Sequence, residues 1–268
     1  MSDIYFLGGL PRSGNTLLSA LLNQNPDIYV SPNSPLLNNL LNLESFQDID
    51  QNSRMGDFKT PITNGLKGYA NEFYQDITKP IILDRNKIWG SKESIFTAYK
   101  YITNTPKVIF TVRDIPSVLT SFLTLVGDTQ DNFIDRDLRY SKKKPYGNQT
   151  QNDLRCDLLM NGQVGDCLSA LTELLEMQIP TCLVEYDDLI SNPQKELKDI
   201  YTFLGINDYK NDFNNVQKIE QENLSSVGLP SNLHDVRNTV IKISQEPNTI
   251  LSTQTLAKYA NLEFWRQK

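Results

Sequence analysis

Short apolar runs alternate with amphipathic stretches along most of this chain. Near-continuous apolar runs are typical of buried parallel strands. They occur at Ile4–Gly8, Ile28–Val30, Pro80–Asp84, Lys107–Arg113 and Thr181–Tyr186. Apolar residues at helical spacing predict helices at Thr16–Gln24, Pro35–Phe46, Asn64–Gln75, Ser91–Thr103, Ile115–Val126, Asp153–Met177 and Pro193–Leu204. The alternation predicts a doubly wound α/β fold with three layers, α/β/α, around a mainly parallel sheet of about four to five strands.

One stretch, residues 127–152, departs from this alternation because it is polar and has no clear period. It fits two interpretations, a lid over an acceptor site or a solvated surface insertion. The 268 residues are enough to bury one large core, so we expect a single α/β domain over residues 1–268.

Charge and cysteine content narrow the function classes. The net charge of −6 and the sequence pI of about 4.9 argue against general affinity for nucleic acid or for an anionic membrane. Cys156, Cys167 and Cys182 are odd in number and lack metal-ligand spacing, which favours free thiols. The first strand begins near residue 4, and no apolar run approaches the roughly 20 residues of a membrane span. We therefore expect a cytoplasmic protein.

The strongest motif follows the first predicted strand. Gly9–Thr16 has the spacing of a P-loop, with Asn15 in the place of the usual lysine. Such a loop leads into a helix, so the backbone N–H groups of residues 13–16 point at one anion. Arg12 is the only cation in the loop, and its fork of donors can bind an anion that carries no metal. The alternative is a glycine-containing turn that binds nothing.

A second anion motif follows a later strand. Arg113 ends the run 107–113, and Ser117 and Ser121 lie on one face of the next predicted helix. An arginine at a strand end with a hydroxyl from the next helix predicts a second phosphate site. A surface ion pair between Arg113 and Asp114 is the alternative. Two phosphate sites at the ends of two strands indicate a nucleotide that is phosphorylated at two positions.

These motifs resemble those of a known family. The segment 9–17 resembles the 5′-phosphosulfate loop of sulfotransferases that use 3′-phosphoadenosine 5′-phosphosulfate (PAPS), and Val112-Arg113-Asp114 with Ser121 resembles their 3′-phosphate motif. The segment 83–87 is similar to one that carries a catalytic lysine in tyrosylprotein sulfotransferases. The segment 184–189 resembles the strand whose tyrosine borders the nucleotide, and the segment 233–237 resembles a part of bacterial relatives that folds over the cofactor.

The resemblance covers residues 4–265 and implies a P-loop-NTPase-like fold. It also implies transfer of a sulfuryl group from PAPS to a hydroxyl or amine, with release of the 3′,5′-bisphosphate PAP and no need for a metal. The cofactor-binding residues that it implies are Arg12, Ser13, Gly14, Asn15, Thr16, Arg113, Ser121, Tyr186 and Arg237. Arg12 and Lys87 would be catalytic, with Lys87 stabilising the bridging oxygen of the leaving phosphate. The alternative for Lys87 is a solvated lysine just past a strand.

The general base is where this sequence departs from the family pattern. Tyrosylprotein sulfotransferases have a catalytic glutamate at the position of Asn33, and an amide cannot accept the proton. This puts a tyrosine-peptide acceptor in doubt. His234 is the only histidine and a candidate base, although a lone histidine is commonly structural; Asp84 and Glu93 are candidates because they lie near Lys87 in sequence.

The acceptor is not identified by the sequence. Asn33 and Ser34 are expected to line its pocket because they follow a predicted strand near the loop. The expected partners are a small-molecule, carbohydrate or peptide acceptor, without nucleic acid or membrane. Two other functions remain open, a catalytically silent module that binds PAP or PAPS and a P-loop kinase that uses ATP with a metal.

Overall fold

The structure is a computed structural model, and it describes residues 2–127, 132–142, 144–218, 222–241 and 246–266. Five strands form one sheet in the order β2-β3-β1-β4-β5, and every neighbouring pair is parallel. The strands are β1 Asp3–Gly9, β2 Ile28–Asn33, β3 Ile81–Arg85, β4 Val108–Val112 and β5 Thr181–Glu185. The predicted α/β class and the parallel sheet are confirmed.

Twelve α-helices connect and cover these strands within the described residues. They are α1 Asn15–Leu22, α2 Leu36–Ile49, α3 Gln51–Met55, α4 Lys59–Glu72, α5 Lys92–Thr97, α6 Ile115–Val126, α7 Phe133–Ser141, α8 Gln151–Met160, α9 Gln163–Glu176, α10 Tyr186–Ser191, α11 Pro193–Leu204 and α12 Thr253–Tyr259. A π-helical turn spans Ala98–Ile102, and short 3₁₀ turns span Leu224–Val227, Pro247–Thr249 and Phe264–Arg266. None of the described helices combines the length and the apolar character that crossing a bilayer requires.

Side-chain alternation along the strands separates two main cores, one on each face of the sheet, and a smaller third cluster packs around Ile82 of β3. Phe6 and Phe110 pack on one face with buried residues of α6, α8 and α9. Leu7 and Ile109 pack on the other face with α1 and α11. Because successive strand residues point to opposite faces, adjacent residues of β1 and β4 build the two cores, and three layers result.

Three predicted segments differ from the observed elements. The predicted helix Asp153–Met177 is two helices, α8 and α9, which separate at residues 161–162. The two helices approach closely, because a Cβ atom on Gly165 would lie 2.2 Å from the Met160 carbonyl oxygen. The predicted helix Ser91–Thr103 is α5 followed by the π-helical turn. The polar stretch 127–152 contains α7, while its residues 128–131 and 143 lie outside the described residues.

Candidate nucleotide and acceptor site

A cleft of about 1330 Å³ lies at the carboxyl ends of the parallel strands. Ligands of open α/β sheets bind at this edge. The cleft is lined by the loop after β1, the turn after β3, helix α6, the start of α10 and the C-terminal segment 229–241. It brings together twelve of the predicted site residues: Arg12, Gly14, Asn15, Thr16, Asn33, Ser34, Lys87, Arg113, Ser121, Tyr186, His234 and Arg237. Ser13 and the candidate bases Asp84 and Glu93 are not part of its lining.

The loop between β1 and α1 is held in a shape that presents backbone N–H groups. Gly14 caps α1 with φ of +88°, and a Cβ atom there would lie 2.8 Å from the ring of Tyr186. The Ser13 hydroxyl is buried and donates to the Leu10 carbonyl over 2.5 Å, so only the main chain of Ser13 can serve an anion. The first N–H groups of α1 have no partner within the helix and are available to a ligand.

Asn15 stabilises the loop. Its Nδ2 donates to the Leu10 carbonyl over 3.1 Å, which closes the loop across five residues. Its Oδ1 is buried without a hydrogen-bond partner among the described residues. The residue in the usual lysine position therefore braces the main chain.

Arg12 joins the two predicted phosphate motifs. Its Nε donates to the Ser121 hydroxyl over 3.0 Å, and its Nη1 donates to the Leu233 carbonyl over 2.7 Å. Burial lowers the pKa of Arg12, and the nearby charge of Arg113 lowers it further. Two guanidinium groups at one cleft wall make a surface suited to an anion of more than one charge.

Arg113 is a buried cation without a carboxylate partner among the described residues. It is 7% exposed, its Nη1 donates to the Arg12 carbonyl over 3.1 Å, and its guanidinium lies 4.2 Å from the centre of the Tyr186 ring. Its Nε has no hydrogen-bond partner in the described parts of the chain. Asp114 caps α6 by accepting the Ser117 N–H over 2.9 Å. The surface ion pair that the sequence left open is therefore not formed.

The turn after β3 presents Lys87 to the cleft. Asn86 fixes this turn, since its Nδ2 donates to the Ser34 carbonyl over 3.2 Å and to the Asn38 Oδ1 over 2.8 Å. Lys87 is exposed, and no described residue forms a hydrogen bond or an ion pair with it. Its charge acts on the buried thiol of Cys167 on α9, whose pKa burial nevertheless raises to about 12. Lys87 is thus a cation available to a ligand.

The two carboxylates near Lys87 in sequence lie outside the lining of the cleft. Asp84 is fully buried and accepts hydrogen bonds from the Tyr74 hydroxyl over 2.6 Å and from the Trp89 Nε1 over 2.7 Å. Burial raises the pKa of Asp84. Glu93 is exposed in the first turn of α5. Because neither residue lines the cleft, neither is placed to act on a ligand bound there.

Sequence reasoning missed Glu222, which lies beside His234. The His234 Nδ1 is 2.5 Å from the Glu222 Oε2, and Arg85 donates to the Glu222 Oε1 over 2.6 Å. Burial opposes the ionisation of Glu222, but hydrogen bonds from His234 and from the Asn33 N–H, with the charge of Arg85, lower its pKa well below the usual range. No motif contains Glu222, so no local signal could have identified it.

Asn33 and Ser34, which were predicted to line the acceptor pocket, also line the cleft. Asn33 is exposed, and its backbone N–H donates to the Glu222 Oε1 over 3.1 Å. The Ser34 hydroxyl is buried between the Leu36 N–H and the Tyr74 hydroxyl. In the part of the chain that the structure describes, no three His, Cys, Asp or Glu side chains are grouped to hold a metal ion.

The fold is a P-loop-like α/β fold, and the cleft at its strand ends holds the guanidinium groups of Arg12 and Arg113. A family model described as the sulfotransferase domain matches residues 2–248. The chain belongs to the sulfotransferase domain family. A search of curated proteins found no matching relative.

Solved structures similar to this chain include three sulfotransferases. The sulfotransferase domain from the curacin biosynthetic pathway is 17% identical, with 92% of this chain and 84% of that chain covered and a TM-score of 0.50. The sulfotransferase domain of the Synechococcus PCC 7002 olefin synthase is 19% identical, with 88% and 83% covered and a TM-score of 0.49. Mouse sulfotransferase SULT7A1 complexed with PAP is 18% identical, with 78% and 61% covered and a TM-score of 0.45.

Proposed function

We propose that this chain transfers a sulfuryl group from PAPS to a hydroxyl or amine of a small-molecule, carbohydrate or peptide acceptor and releases PAP. The observation that carries the proposal is the buried guanidinium of Arg113, which has no carboxylate partner among the described residues and lies beside that of Arg12. A buried charge without a counter-ion is costly unless a bound ligand compensates it. A nucleotide with phosphates at its 3′ and 5′ positions supplies that compensation.

The nucleotide-binding residues divide between its two phosphates. The N–H groups of residues 13–16 at the start of α1 would bind the 5′-phosphosulfate. Arg113, Ser121 and Arg237 would bind the 3′-phosphate, with the Tyr186 ring beneath Arg113. Arg12 has five N–H donors. Its Nε and Nη1 contact Ser121 and the Leu233 carbonyl, and the remaining donors are available to phosphate oxygens.

The chemistry would require a cation at the leaving group and a base at the acceptor. A lone pair of the acceptor oxygen attacks sulfur, the bond from sulfur to the bridging oxygen breaks, and that electron pair remains on the 5′-phosphate of PAP. Lys87 would stabilise the charge that develops on the bridging oxygen. His234, which lines the same cleft, would take the acceptor's proton.

The three cysteines agree with a reducing compartment. Cys156, Cys167 and Cys182 are free thiols, and burial raises the pKa of each to about 12. Unpaired, unreactive thiols are typical of cytoplasmic proteins, so we propose that location.

Calorimetry with PAP in the presence of EDTA tests the nucleotide site. We expect saturable binding without a divalent metal. Absence of PAP binding contradicts the proposal, and ATP binding that depends on Mg²⁺ would instead favour the kinase alternative.

Turnover separates the enzyme from the silent module. With labelled PAPS and a pool of alcohols, phenols, sugars and peptides, we expect PAP release that depends on an acceptor. Lys87→Met should lower this turnover roughly 100-fold, while PAP affinity stays within about threefold. Lys92→Met, at an exposed lysine of α5, is the matched control. PAP binding without turnover for any acceptor indicates the silent module.

A further inference from the structure

One largely enclosed carboxylate, that of Glu222, contacts four groups beside the cleft. The Glu222 Oε1 accepts hydrogen bonds from Arg85 over 2.6 Å and from the Asn33 N–H over 3.1 Å. The Glu222 Oε2 lies 3.2 Å from the Lys218 Nζ and 2.5 Å from the His234 Nδ1. The side chain of Glu222 is only 10% exposed. With both oxygens engaged, the carboxylate is held in one position.

Arg85 anchors this cluster to the sheet. Arg85 ends β3, and its backbone N–H donates to the Ser31 hydroxyl of β2 over 2.9 Å. Its Nη1 lies 3.3 Å from the Ser19 hydroxyl of α1. The guanidinium is therefore fixed by the framework, and it fixes Glu222 in turn. His234, although it belongs to an irregular segment, meets a carboxylate that is tied to two strands.

The contact at Nδ1 decides where the neutral imidazole carries its proton. Glu222 stays ionised because its surroundings lower its pKa, and an ionised carboxylate accepts hydrogen bonds without donating them. The proton of the neutral ring therefore lies on Nδ1, which leaves the lone pair on Nε2. Because His234 lines the cleft, Nε2 is the ring nitrogen available to a bound acceptor.

We propose that Glu222 is the positioning residue for His234, holding its neutral ring in the tautomer that accepts a proton at Nε2. The catalytic part of this inference rests on the proposed sulfuryl transfer. In that reaction the acceptor's proton moves to Nε2 while its oxygen bonds to sulfur, and the resulting imidazolium faces the Glu222 carboxylate. Positioned bases of this kind typically contribute on the order of 10²- to 10⁴-fold in rate.

The tautomer can be measured directly because His234 is the only histidine of the chain. In ¹⁵N NMR spectra at a pH where the ring is neutral, we expect one tautomer with the proton on Nδ1. In Glu222→Gln the side-chain amide can accept from Nδ1 or donate to it, so we expect a mixture of tautomers. The amide oxygen can still accept the hydrogen bond from Arg85, which favours retention of the fold. Asp208→Asn, at an exposed carboxylate after α11, should leave the wild-type tautomer.

Kinetics test the consequence for the reaction. Glu222→Gln should lower kcat at least tenfold with KM for PAPS within about twofold, since the nucleotide contacts are unchanged. His234→Gln should lower kcat at least as much, and the double variant should add little to it, because the two residues act as a unit. Asp208→Asn should match the wild type. If Glu222→Gln does not fold, Glu222→Asp keeps the charge beside Arg85 but withdraws from His234, and it should show the same tautomer mixture.

The two proposals fail in different ways. A single Nδ1-protonated tautomer in the folded Glu222 variants, or a kcat within twofold of the wild type, overturns the positioning role. A wild-type chain that binds no PAP overturns the proposed function, while the tautomer measurement still decides whether Glu222 positions His234.

Discussion

Two buried arginines occupy matching places in the sheet and differ in their partners. Arg85 ends β3 and Arg113 follows β4, and these strands flank β1 on its two sides. Their exposures are nearly equal, 5% and 7%. Arg85 is paired with the carboxylate of Glu222 over 2.6 Å. Arg113 contacts a backbone carbonyl and the ring of Tyr186, and no described carboxylate neutralises it.

Charge balance therefore separates a structural arginine from a candidate binding arginine. Removing one partner of a buried ion pair leaves the other charge uncompensated, which is strongly destabilising. An arginine buried without a counter-ion already carries that cost in the free protein, and a bound anion relieves it. The folded chain should thus depend on Arg85, and ligand binding should depend on Arg113. Four measurements can break or sharpen this contrast.

The largest effect is expected for Arg85→Met. Loss of the guanidinium leaves the largely enclosed Glu222 carboxylate with Lys218 as its cationic partner among the described residues, so the free energy of unfolding should fall by about 3 kcal/mol. Urea denaturation followed by circular dichroism measures it. Arg54→Met, at an exposed arginine of α3, is the control and should change stability by less than about 0.5 kcal/mol. A loss below about 1 kcal/mol for Arg85→Met would mean that the ion pair is not structural.

Arg113→Met should produce the opposite pattern. PAP affinity should fall roughly 100-fold, equivalent to about 3 kcal/mol, because a buried charged contact to phosphate is lost. The free energy of unfolding should stay the same or rise, because an apolar side chain replaces a buried cation that has no carboxylate partner among the described residues. Calorimetry and urea denaturation provide the two values. Unchanged PAP affinity with lost stability would make Arg113 a structural residue.

Protection by PAP against unfolding tests whether Arg113 contacts the ligand. At a free concentration of 100 times Kd, PAP should raise the free energy of unfolding of the wild type by about 2.7 kcal/mol. At the same concentration Arg113→Met should gain less than about 0.5 kcal/mol. Thermal unfolding with PAP and with 5′-AMP measures this increase in the free energy of unfolding. AMP lacks the 3′-phosphate, so equal protection by AMP would contradict a 3′-phosphate contact by Arg113.

The smallest effect concerns acid. The folded-state pKa of Glu222 lies below its unfolded value, so its contribution to stability is complete above the unfolded pKa of about 4.3 and is lost as pH falls from there toward the folded pKa. Because a single proton is bound, the free energy of unfolding can change by at most about 1.4 kcal/mol per pH unit. The stability difference between wild type and Glu222→Gln, measured in urea at pH 6, 5, 4 and 3, should shrink below about pH 4.5. A constant difference would show that folding does not lower the pKa of Glu222.

Local patterns predicted much of the fold for a physical reason. Parallel strands that are buried on both faces have continuous apolar sequences, which can be recognised locally. Four of the five predicted strands lie within about two residues of the observed bounds. The break between α8 and α9 at residues 161–162 was not predicted because the apolar spacing continues through both helices, although Asn161-Gly162 is a local turn signal. The amphipathic helix α7, with Ile134 and Leu138 buried, was not predicted because the stretch that contains it is polar in composition.

The candidate site was predictable where its residues are close in sequence. The loop 9–16 and the pair Arg113 and Ser121 are each local to one strand and its following helix. The structure brings both to one cleft and joins them through the Arg12 bond to Ser121, across 109 positions. Sequence spacing could not show that Ser13 turns its hydroxyl into the core, since this depends on the packing of Leu10 and Thr111.

The sequence by itself determined the strands, the anion loop and the cations available at strand ends, because these follow from periodicity and from short spacings. Only the tertiary structure decided which cation is neutralised. The pair of Arg85 and Glu222 spans 137 positions, and that of Glu222 and His234 joins two parts of an irregular segment. Pairing of this kind depends on how the segments pack, and so does the absence of a carboxylate partner for Arg113 among the described residues.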